Sequence, residues 1–139
     1  MILALDYGSK RIGLATGEEE LKIAFPRSVL TNTSTKEAAQ SIAAFCLDHQ
    51  ITKIVIGLPL NNPNYPDNPI MNDLKKFQQE LLQTLPQLEI IEVDERYTSY
   101  QADTLIQDIS IKSKKQKTNH LGRDAYAAQA ILQHYFDQT

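Results

Sequence analysis

The chain opens on an apolar run, "MILALD", in which strand formers follow one another without a polar break, the pattern of a strand covered on both faces. That places it at the centre of a sheet. Gly8-Ser9-Lys10 then reads as a tight turn, and "RIGLATG" resumes with Ile12 and Leu14 in phase, which predicts a hairpin. "AFPRSVLT" at residues 24–31 is a third strand, with Pro26 suited to an edge. From Ser34 the period lengthens. Ser34 or Thr35 can cap a helix with Glu37 in a capping box, and Ala38, Ile42, Phe45 and Cys46 recur on one face. "KIVIGLP" predicts a short buried strand ended by Gly57 and Pro59, followed by the loop "LNNPNYPDNP". A second helix is predicted from about Met71 to Leu85, with Leu74, Phe77, Leu81 and Leu85 as its stripe. "LEIIEVDE" is the next strand, "SYQADTLIQD" a further helix, "ISIKSKKQKTNH" a polar loop and "GRDAYAAQAILQHYF" a final helix.

This order restricts the topology. Strands separated by helices pair in parallel through right-handed crossovers, whereas the first three, joined by short turns, form antiparallel hairpins. The expectation is an α/β fold: a mixed five-stranded sheet, three antiparallel strands and then parallel crossovers, with helices on both faces. At 139 residues the chain is the size of one domain, residues 1–139, with no internal repeat and no linker to divide it. Its one cysteine, Cys46, sits in the apolar stretch "IAAFCLDH" and reads as a small core residue. No targeting segment and no bilayer-long apolar run is visible, so the expectation is a cytoplasmic protein without a membrane partner. The net charge is -3, which argues against coating nucleic acid by bulk charge.

Acidic residues stand at the ends of three apolar elements. Asp6 ends the first strand, Asp94 and Glu95 end the fifth, and Asp124 opens the last helix in line with Ala128, Ile131 and Tyr135. A carboxylate on a core-facing line needs a partner. Singly, each acid has a local role: a turn hydrogen bond for Asp6, pairing with Arg96 for Asp94 or Glu95, the helix dipole for Asp124. Jointly they suit a hard divalent ion such as Mg2+ or Mn2+, the chemistry of phosphodiester cleavage.

The positive charge is concentrated. Lys112, Lys114, Lys115, Lys117 and Arg123 lie within a dozen residues just before Asp124, with His120 among them, and Lys10 and Arg11 follow Asp6. In an acidic chain, such a cluster beside acids fits a loop that tracks a phosphate backbone, while a solvated charge run is the plainer alternative. Tyr7, Tyr97 and Tyr100 are candidates to stack on unpaired bases, with ordinary packing as the competing role.

Four segments, "LDYGSKRIGLA", "IVIGLPLN", "VDERYTS" and "GRDAYAAQAILQHYF", in this order and spanning nearly the whole chain, resemble the YqgF family, also called RuvX. The resemblance implies a ribonuclease H-like fold and a metal-dependent nuclease. Its implied role is maturation of the 5' end of pre-16S ribosomal RNA in ribosome biogenesis, with Holliday junction resolution, by analogy with RuvC, as the alternative. It implies Asp6, Glu95 and Asp124 as catalytic metal ligands. Ser9 stands where threonine is common, and "YTS" replaces "LTT" after Arg96. Lys10, Arg11, Arg96, the four lysines at 112–117 and Arg123 are then expected to bind substrate. The expected partners are pre-rRNA or branched DNA and ribosomal particles, for a monomer or homodimer. "DYGSKRIGLA" also resembles the phosphate hairpin of actin-like ATPases and sugar kinases, but those proteins close two such domains and this length allows one. A non-catalytic RNA-binding module is the remaining alternative.

Overall fold

The computed structural model describes residues 1–58, 69–94 and 122–139. Strand β1 (Ile2–Tyr7) is apolar throughout because both of its faces are covered. Leu3, Leu5 and Tyr7 belong to one buried cluster, Ile2 and Ala4 to another. β1 turns into β2 (Arg11–Glu18), and β2 into β3 (Ile23–Thr31), all antiparallel. Helix α1 (Thr35–Asp48) then crosses to β4 (Lys53–Leu58), and α2 (Pro69–Thr84) leads to β5 (Glu89–Asp94). The last described element is α3 (Gly122–Asp137).

The five strands form one sheet in the order β3-β2-β1-β4-β5, with β1, β4 and β5 mutually parallel. The first strand is central, and Pro26 lies on an edge strand, as the sequence predicts. One face of the sheet packs α1 and α2 through Ile42, Cys46, Leu74, Phe77 and Leu81. The other packs α3 through Ala128, Ile131, Leu132 and Phe136. A fully buried side chain of this size contributes roughly 1.5–3 kcal/mol, so each face is secured by several such residues.

Helix α1 starts where its cap is: Ser34 is extended and its Oγ accepts the Glu37 amide at 3.1 Å. The rest of the expected capping box differs, because the Glu37 carboxylate takes the Thr33 hydroxyl instead. Pro69 opens α2 slightly earlier than the stripe predicts, since its fixed φ suits a first helical position. Cys46 is a buried free thiol, as expected.

The seat of α3 is set by β2. The residues of β2 that pack beneath α3 are Gly13, Ala15 and Gly17, so at β2 no large side chain separates helix from strand. A Cβ on Gly13 would lie 1.8 Å from the Asp124 carbonyl oxygen, and one on Gly17 would lie 2.8 Å from the Phe136 ring. The two ends of α3 therefore rest directly on backbone. Along the helix, Gln129 Nε2 donates to the Ala24 carbonyl at 3.0 Å and Gln133 Oε1 accepts the Ala24 amide at 3.1 Å, which fixes the rotation of α3 against β3. Among the described residues, no helix is long and apolar enough to cross a membrane.

Candidate active site

Side chains alternate along β1, so Asp6 shares the face of Ile2 and Ala4, the face that carries α3. Across the ladders Asp6 pairs with Gly13 on one side and Gly57 on the other. Its carboxylate therefore has no neighbouring side chain in its own row. Gly13 is also where the first turn of α3 touches the sheet, at the Asp124 carbonyl. One glycine thus stands opposite Asp6 and beneath Asp124, and it brings together two acids far apart in sequence.

This junction lies at the carboxyl ends of parallel strands. Asp6 is near the end of β1, and Leu58 and Asp94 pair at the ends of β4 and β5. Open α/β sheets bind ligands outside that edge. The first turn of α3 adds the positive end of a helix dipole there, which favours negative charge close by.

Asp124 has a partner. Arg11 Nε donates to Asp124 Oδ2 at 2.8 Å, joining the first residue of β2 to the first turn of α3. The hairpin that carries Arg11 is pinned by Asn32, whose amide donates to the Lys10 carbonyl and whose Nδ2 donates to the Gly8 carbonyl, both at 2.8 Å. Lys10 is exposed in the turn, and Arg123 is exposed in the first turn of α3. The three expected substrate-binding cations among the described residues, Lys10, Arg11 and Arg123, flank the two acids in the chain. Tyr7 does not present itself for base stacking. It is next to Asp6 in a strand and so points to the opposite face, where it is buried against Phe77 with ring centroids 5.0 Å apart. Burial raises its hydroxyl pKa, the nearby Asn32 side chain partly offsets this, and Asp73 and Glu80 raise it further.

Glu95, Arg96, Lys112, Lys114, Lys115 and Lys117 lie outside the described residues, as do His120, Tyr97, Tyr100, the helix expected over 99–108 and nearly all of the proline-rich loop. Among the described residues, no group of three or more His, Cys, Asp or Glu side chains is gathered as a metal cluster. What the sequence reading missed is the role of Gly13. Its only sequence signal is a small residue at every second position of β2.

The fold is that of the ribonuclease H-like resolvases and nucleases. Among solved structures, the chain resembles "T. thermophilus RuvC in complex with Holliday junction substrate", with a TM-score of 0.63 at 12% identity, covering 99% of this chain and 93% of that one. The model of the family described as "RuvX: Holliday junction resolvase" matches residues 1–138, and the chain belongs to that family. A relative from Nitrosospira multiformis, named "Putative pre-16S rRNA nuclease", is 35% identical over 98% of this chain and 87% of its own length. One from Rickettsia rickettsii with the same name is 32% identical over 98% of this chain and 85% of its own.

Proposed function

We propose that this chain is a divalent-metal-dependent nuclease that matures the 5' end of pre-16S rRNA, acting as a single domain in ribosome biogenesis in the cytoplasm. The observation that carries the reading is the contact at Gly13, which seats Asp124 beside Asp6 at the carboxyl edge of the sheet. The names of the two relatives support the RNA substrate.

The donor set fits a hard cation. Asp6 and Asp124 offer oxygen ligands from a central strand and a helix seated on backbone, as Mg2+ or Mn2+ prefers. Glu95 is the third ligand in this reading; it follows directly on Asp94, which ends β5 beside β4 at the same edge of the sheet. Bound there, such a cation supplies water activation and neutralises charge on the phosphodiester. The protein's own part is to hold the two carboxylates rigidly and to fix the substrate. Lys10, Arg11 and Arg123 meet phosphates beside the acids, the lysines at 112–117 track the nucleic-acid backbone, and Arg96 steadies the glutamate or contacts the scissile phosphate. Ribosomal particles carrying the precursor are the natural partner. A monomer suffices for one RNA end.

Junction cleavage is the second reading, favoured by the family's description and by the substrate in the RuvC complex. It calls for a homodimer, because a two-fold junction needs two active sites. Incubating the chain with Mn2+ and either a pre-16S 5'-leader RNA or a four-way DNA junction separates the two. The RNA is expected to be cut. Cleavage of the junction alone would transfer the assignment to resolvase, and cleavage of neither would leave a binding module.

A further inference from the structure

We propose that Arg11 is a built-in counter-ion for Asp124, displaced when a divalent cation binds and then free to take a substrate phosphate. The proposal rests on the reading of Asp124 as a metal ligand. It starts from the 2.8 Å bond between Arg11 Nε and Asp124 Oδ2, made across 113 positions of sequence. Without a cation, Asp6 and Asp124 are two like charges flanking Gly13, and Arg11 neutralises one of them.

Three properties make this pairing exchangeable. The side chains are 64% and 29% exposed, and ion pairs that open to solvent are weak. A guanidinium carries a single charge spread over its planar fork, so a divalent cation can compete with it for the carboxylate. The backbone beneath Arg11 is fixed, because Asn32 bonds both Gly8 and Lys10. Only the side chain has to swing. Once released, its planar fork is suited to two phosphate oxygens and stays within a side chain's length of the acids.

The arrangement makes opposite demands on Arg11: it competes with the metal and assists the substrate. Mn2+ binding to the full chain without substrate, followed by electron paramagnetic resonance of the free ion, tests the first. Arg11→Gln is expected to tighten Mn2+ binding about 2- to 5-fold, the release of one exposed ion pair, while KM for the cleaved substrate rises. Arg11→Lys, which keeps the charge, is expected to bind Mn2+ close to wild type. Asp124→Asn is expected to weaken Mn2+ binding. If Asp124→Asn weakens binding but Arg11→Gln leaves it unchanged or weaker, the counter-ion role is overturned and the metal site stands. If Asp124→Asn leaves binding unchanged, the metal reading falls and this proposal with it.

Discussion

Gly13 carries more of the site than either acid's position in sequence suggests. A methyl group there would meet backbone, 1.8 Å from the Asp124 oxygen and 2.9 Å from the Ala125 nitrogen, and backbone cannot rotate aside as a side chain can. Gly13→Ala must therefore lift the first turn of α3. Overpacking of this kind costs about 1–3 kcal/mol, and displacing a catalytic group by ~1 Å can cost about 100-fold in rate. We expect both, read by urea denaturation and by single-turnover cleavage. Gly17→Ala is the control, since its Cβ meets the Phe136 ring and the Ile23 carbonyl at the far end of the same helix. It should lose comparable stability and much less activity. Equal losses in both variants would mean that Gly13 acts only through stability. Tyr7 illustrates what was readable at this scale: strand alternation alone sets it on the opposite face from Asp6, and core packing is what the structure shows.

At the scale of elements, hydrophobic period revealed most of the fold. β1, β2, β4, α1 and α3 lie where their patterns place them, because each buries a continuous stripe or run. The connections supplied the sheet order, since short turns leave only hairpins and helices only crossovers. The differences are local and have tertiary causes. α2 ends at Thr84, just ahead of Leu85 and Pro86, and a residue before proline is pushed out of helical geometry. The β2–β3 register slips between Leu14, opposite Ser28, and Ala15, opposite Pro26, and this bulge has no sequence period to announce it. The site was legible only in part. Acids at element ends pointed to Asp6 and Asp124, but the Gly13-Ala15-Gly17 row acquires its meaning from the helix it meets. Likewise, the charge run beside Asp6 gave no sign that Arg11 bonds Asp124, because ion-pair partners 113 positions apart leave no local pattern.

Across the whole molecule, the sheet separates two environments. The α1–α2 side is an apolar core in which burial pushes the Cys46 thiol up to about 11 from its ordinary 9.0. Tyr7, on the same side, is raised as well. Groups with raised folded pKa values stabilise the native state below their unfolded values and lose that contribution as pH climbs through the folded ones. Stability should therefore fall between pH 9.0 and about 11. Cys46→Ala should reduce that slope in urea titrations, and an unchanged slope would contradict the assignment. The α3 side carries the acids at the carboxyl edge of the sheet, and the account stands or falls on their acting as a pair. The most direct measurement is single-turnover, Mn2+-dependent cleavage by wild type, Asp6→Asn, Asp124→Asn and the double variant. Groups that act as one unit are strongly non-additive, so each single change should remove at least about 1000-fold of the rate and the double change little more. Near-wild-type cleavage by either single variant would contradict the account.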